Sequence, residues 1–82
     1  MEDFDPHEGP PGRPPQYVFE RIADHIAARI AAGQLVAGEK LPGESDMAEA
    51  MGVGLGTVRR ALIELRSRGL VTTLKAKGTY VL

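Results

Sequence analysis

Two short helical patterns joined by a three-residue link constrain this chain more tightly than any other feature. From Gly43 to Gly69 it reads GESDMAEAMGVGLGTVRRALIELRSRG. Met47 and Met51 lie four apart and so share one helical face, and Ala48 beside them is small enough for a second helix to approach closely. Gly52 follows Met51 directly, where a chain leaving a helix needs a positive φ, and Val53 is expected to bury the turn. Val58, Ala61, Leu62 and Leu65 then give the next helix a core stripe, while Thr57, Arg59, Arg60 and Arg66 fall outside it. A core stripe backed by exposed arginines is what insertion of a helix into the major groove of DNA requires. The pattern is the sequence form of a helix-turn-helix.

The flanking segments complete a fold around it. Phe19, Ile22, Ala23, Ile26 and Ile30 form an amphipathic stripe that predicts a first helix over 17–32, with Glu20 and Arg29 suited to the two ends of its dipole and Gly33 as its stop. Residues 34–40 are expected to turn, with a short strand at Lys40 and Leu41 that Pro42 keeps brief. Gly43 stands at the cap of a second helix over 44–51, although glycine offers no capping side chain. The third helix is expected over 56–68, ending at Gly69. Two segments rich in β-formers follow, 70–74 and 79–82, and the intervening Lys75-Ala76-Lys77-Gly78 suits a hairpin tip. The expected fold class is mainly α with a small β component: a three-helix winged helix-turn-helix with a C-terminal β-hairpin wing.

Eighty-two residues allow one domain. Residues 1–15 hold five of the six prolines and too little apolar surface to offset chain entropy, so they read as a disordered acidic tail, with the domain at 16–82. The net charge of −1 hides a strong asymmetry. The tail alone carries −3, whereas Arg59, Arg60, Arg66, Arg68, Lys75 and Lys77 face a single acid, Glu64, over 59–77. Such a segment suits a polyanion, although pairing of Glu64 with Arg60 and Arg68 at i±4 would equally make a solvated helix face. Cysteine is absent, which excludes a disulfide framework and a thiolate metal site. His7 and His25 have no accompanying ligand set, and Asp46 and Glu49 read as a solvated face. No cofactor, metal or enzymatic constellation is indicated. The chain lacks an apolar run of ~20 residues and a secretory n- and h-region, so no membrane contact and a cytoplasmic location are the expectation.

From Phe19 to Val81 the chain resembles the N-terminal DNA-binding domain of the GntR family of bacterial transcriptional regulators. The resemblance is carried by Ile30-Ala31-Ala32-Gly33, Gly38-Glu39-Lys40-Leu41-Pro42, Glu44, Met47-Ala48, Gly52-Val53, Thr57-Val58-Arg59, Ala61-Leu62, Leu65, Gly69-Leu70-Val71 and Gly78-Thr79-Tyr80-Val81, in the family's order and spacing. It departs from the family at several positions. Gly43 replaces a usual serine or alanine, Ser45 a frequent DNA-contacting arginine, and Arg60 a frequent glutamate. Gly54-Leu55-Gly56 stands where the family has a hydroxyl residue, a cation and a small polar residue, and Ala76 stands where the wing commonly has glycine. Family members carry an effector-binding, dimerising domain after the wing; with Leu82 as the last residue, no small-molecule effector site is expected within this sequence.

The resemblance and the position of Arg59 in the first turns of the third helix make Arg59 the expected base reader, since a bidentate arginine–guanine contact is worth ~1–3 kcal/mol of discrimination. A phosphate clamp without sequence preference is the alternative for the same side chain. Arg60 is assigned to phosphate or to Glu64. Thr57 can bond a phosphate oxygen or cap the helix, and Leu55 can touch a thymine methyl. Gly54 and Gly56 allow close approach of phosphate to backbone N–H groups, or serve the turn alone. Glu44 and Ser45 complete the helix-turn-helix side of the site. Lys75, Lys77 and Gly78 form the wing contact with phosphate or minor groove, or a solubilising tip. The function expected is a sequence-specific, double-stranded-DNA-binding regulator, read as a repressor, that binds a palindrome as a homodimer. The alternatives are a winged-helix protein-interaction module and a non-specific architectural DNA binder.

Overall fold

Each apolar stripe becomes a helix, and each helix ends for a chemical reason. A computed structural model describes residues 4–5 and 16–82. The elements run α1 (Val18–Ala31), α2 (Glu44–Met51), α3 (Leu55–Ser67), β1 (Val71–Leu74) and β2 (Gly78–Val81). At the start of α1, Glu20 reaches back to accept a hydrogen bond from the Tyr17 N–H at 3.3 Å. Gly52 closes α2 with φ 68, a left-handed conformation that lets the Val53 N–H reach the Ala48 carbonyl at 3.0 Å. The chain reverses there within three residues and enters α3.

Both ends of α1, α3 and β2 and the start of β1 differ by one residue from the sequence expectation, and two of these shifts have a clear cause. Helix α3 begins at Leu55 and not Gly56, because Gly54 is extended (φ −74, ψ 157) and its carbonyl already accepts the Val58 N–H at 3.3 Å. Strand β1 begins at Val71 and not Leu70. The Leu70 N–H is committed to the Leu65 carbonyl at 3.1 Å and the Gly69 N–H to that of Arg66 at 3.0 Å, so Leu70 still belongs to the end of α3.

The hairpin is antiparallel, with Val71 opposite Val81 and Leu74 opposite Gly78. The expected strand at Lys40 and Leu41 docks on its free edge through a single bridge, Lys40 to Tyr80. The Leu41 N–H donates to Thr79 O at 2.8 Å and the Val81 N–H to Glu39 O at 2.9 Å. Because side chains alternate across a strand, burying Leu41 turns Lys40 outward.

The core lies between the three helices and the inner face of the hairpin. Ile22 and Ile26 of α1, Met47 and Met51 of α2, and Val58, Leu62 and Leu65 of α3 are almost wholly buried, joined by Leu41, Val71 and Val81. Full burial of such a side chain stabilises by about 1.5–3 kcal/mol, so this cluster holds the helix-turn-helix at its angle. Phe19, Ile30 and Val53 flank it half-buried. Arg68, at the end of α3, donates to Glu64 at 2.8 Å and pairs with Asp24 of α1 at 2.9 Å. The hydrogen bond to Glu64 and then the Asp24 carboxylate hold its proton more tightly than an ordinary guanidinium.

Of the proline-rich segment 1–15, Phe4 and Asp5 are described and rest on α1; the remainder lies outside the described residues. Phe4 meets the His25 ring edge-on at 5.4 Å, and Arg21 donates to the Asp5 carbonyl at 2.7 Å.

Candidate nucleic-acid interface

The start of α3 is built open. Its N-cap, Gly54, supplies no side-chain hydrogen bond, and the N–H groups of Leu55, Gly56 and Thr57 have no acceptor within the helix. Neither Gly54 nor Gly56 adopts a positive φ, so turn geometry does not require glycine at either position. A Cβ added to either would meet nothing within 4 Å. What glycine provides at these positions is bare backbone facing outward at the positive end of a helix dipole, a natural seat for a phosphate. Leu55 and Thr57 are half-buried beside it.

One turn further along, Arg59 projects into solvent, and its Nε lies 3.3 Å from Oε1 of Glu44 at the start of α2. The two side chains are 58% and 43% exposed, so the pair contributes at most about 1 kcal/mol to stability. Its consequence is positional: Glu44 restricts where the Arg59 guanidinium points while leaving its outer N–H groups available. Ser45 is exposed beside Glu44.

Arg60 follows a different course from its neighbour. Its guanidinium lies 4.3 Å above the Phe19 ring of α1, and Tyr17 stacks on Phe19 at 5.9 Å. Glu64, the i+4 partner considered for Arg60, is engaged by Arg68. Ile63 is 57% exposed on the same outer surface of α3, a feature missed in the sequence because it falls outside the core stripe without carrying charge.

On the other side of α3, Arg66 donates from Nη1 to Thr73 Oγ1 at 2.7 Å, and Thr73 is linked to Thr79 at 3.0 Å across the hairpin. This chain of contacts fixes the wing against α3. Lys75 and Lys77 are exposed at the wing tip. The tip turn closes with the Lys77 N–H on the Leu74 carbonyl at 3.0 Å, placing Ala76 at φ 64 and Gly78 at φ 120. Between wing and helices runs a groove of about 590 Å³ lined by Lys40, Glu44, Arg66, Lys75 and Lys77, among others. Glu44 therefore links two features: it holds Arg59 and forms part of the wall that faces the wing lysines. Lys40 was not singled out in the sequence because it lies far along the chain from the basic cluster.

Among the described residues no group of three or more His, Asp or Glu could hold a metal ion, and no helix is long and apolar enough to cross a membrane.

Residues 19–81 match the family described as bacterial regulatory proteins, gntR family. The HTH-type transcriptional regulator SmoD of Agrobacterium fabrum is 41% identical over 64 residues, covering 78% of this chain and 27% of that protein. The mannosyl-D-glycerate transport/metabolism system repressor MngR of Escherichia coli is 40% identical over 64 residues, with the same coverage of 78% and 27%. The chain thus spans about a quarter of the length of these curated relatives. Among solved structures, AraR(DBD) in complex with operator ORE1 superposes with a TM-score of 0.81 at 28% identity, covering 92% of this chain and 93% of that one.

Proposed function

Because the chain belongs to the gntR family of bacterial regulatory proteins, we propose that it binds double-stranded DNA sequence-specifically as the DNA-binding part of a transcriptional repressor. In this reading α3 enters the major groove. Arg59 reads a base edge from the position Glu44 gives it, and Leu55 reaches a thymine methyl. The open N-terminus of α3 at Gly54, Gly56 and Thr57 seats a phosphate, with Ser45 at its edge. Lys75, Lys77 and the backbone at Gly78 contact the sugar–phosphate backbone or minor groove next to it. Arg60, stacked on Phe19, stands at the far edge of this surface and touches phosphate at most. The observation that carries the reading is the Arg59–Glu44 pair, set between an uncapped helix start and a cationic wing groove. The operator named with AraR(DBD) and the repressor name of MngR support it.

A single domain of this size makes few contacts, and non-specific binding lies at about 10⁻⁴–10⁻⁶ M, so specific occupancy calls for two copies on a palindrome in the cytoplasm of a bacterial cell. Selection on random duplex DNA followed by sequencing tests this, with the chain compared against Arg59→Ala. An enriched palindrome that disappears in the variant is the expected result. Retention without an enriched motif would make the chain an architectural binder. No retention at low salt would transfer the search to protein partners, for which the exposed Tyr17 and Ile63 beside Phe19 offer a surface.

A further inference from the structure

The groove between the wing and the helices contains a cation that neither the helix-turn-helix nor the wing accounts for. Lys40 sits on the short segment that docks on β2, its backbone fixed by the bridge to Tyr80 and its neighbour Leu41 anchored in the core. Its side chain runs along the base of the wing tip. A Cβ built on Gly78 would fall 2.7 Å from Lys40 Cε and 3.5 Å from its Nζ, so the space over Gly78 is the space the lysine occupies. A methyl group there would force the end of the lysine side chain to shift, and at φ 120 it would also strain the backbone. The same groove is lined by Arg66 from α3 and by Lys75 and Lys77 from the tip, with Glu44, already paired to Arg59, as its acid. Four cations from three separate segments converge on one channel that starts beside the major-groove helix and ends at the wing.

We propose that this channel is a phosphate track for one DNA strand, with Lys40 as a direct phosphate ligand and Gly78 as the residue that positions it. The proposal rests on the DNA-binding reading above and extends it to a residue outside both recognition elements. A strand leaving the major groove, where α3 lies, must pass the mouth of this channel before reaching the wing. Arg66 is held by Thr73 through one nitrogen only, leaving its remaining donors for the same strand. Lys40 has no acid within the groove except Glu44, which Arg59 engages.

Counterion release provides the test, because each phosphate neutralised contributes about 0.9 to the slope of log K against log salt. The slope is measured by fluorescence anisotropy of a mixed-sequence duplex, so that no operator need be known. The full chain is compared with Lys40→Gln, Lys40→Arg, Gly78→Ala and Arg29→Gln, with circular dichroism confirming each fold. Lys40→Gln is expected to lower the slope by about 0.9 and Lys40→Arg to restore it. Arg29→Gln removes the same charge from the end of α1, outside the groove, and should change it far less. Gly78→Ala should lower the slope through Lys40 and add nothing in the Lys40→Gln background; should that variant not fold, the Lys40 and Arg29 variants decide alone. An unchanged slope in Lys40→Gln, or an equal change in Arg29→Gln, overturns the track while leaving DNA binding intact. Failure of the unaltered chain to bind any duplex at low salt overturns the underlying reading instead.

Discussion

The wing turn stores strain that a single atom change should release. Ala76 holds φ 64, the one non-glycine residue with positive φ among the described residues. An L-residue with a Cβ is disfavoured in this region by roughly 1–2 kcal/mol. Glycine escapes that penalty but loses more backbone entropy on folding, a cost of about 0.5–1 kcal/mol relative to alanine. Ala76 is exposed at the tip, so removing its methyl group forfeits no packing. The balance predicts that Ala76→Gly stabilises the domain by about 0.5–1 kcal/mol. At roughly 4–8 °C per kcal/mol for a domain of this size, the melting temperature should rise by about 2–8 °C. Thermal unfolding followed by circular dichroism measures it directly, and the urea m-value should stay the same, since no surface is newly exposed. An unchanged or lowered melting temperature would refute the reasoning, because it would mean that the tip turn does not hold Ala76 left-handed in solution. The wing lysines would then lack the fixed placement that the groove argument assigns them.

Two further substitutions separate roles that the basic cluster merges. Arg60→Ala should cost about 0.5–1 kcal/mol of stability through loss of the contact with Phe19 while leaving the selected DNA motif unchanged; loss of the motif would show that Arg60 reaches bases. Leu62→Ala opens a cavity under α3 and should cost about 2–5 kcal/mol. Against a whole stability of order 0.05–0.15 kcal/mol per residue, that loss should move the urea midpoint strongly downward, and a cost below ~1 kcal/mol would contradict the burial of that side chain.

How far the sequence reaches depends on the range of the interaction that decides each feature. The core stripe of α3 and the stop at Gly52 follow from helical periodicity and from glycine's access to positive φ, and both were legible in sequence order. The hairpin was legible too, but its register was not: a four-residue tip would set Leu74 opposite Thr79, whereas Leu74 pairs with Gly78 across a three-residue tip. Boundaries moved by a residue where a backbone hydrogen bond, and not a side chain, settled the matter, as at Leu55 and Leu70.

Of the charges, the Glu64–Arg68 pair at i,i+4 was legible, and the rest were not. Arg59, Arg60, Arg66 and Arg68 look equivalent along the helix, yet they turn to Glu44, Phe19, Thr73 and the Glu64–Asp24 pair. Each of those destinations includes a residue on another element, brought near only when α1, α2 and the hairpin close around Leu62 and Leu65. Lys40 joins the wing lysines by the same route, through a single bridge to β2. Local sequence determined which surfaces of each element are apolar and where each helix stops, because those depend on neighbours within a turn. Only the tertiary structure decided which cation stays available for a phosphate, because a long side chain finds its partner across elements and not along the chain.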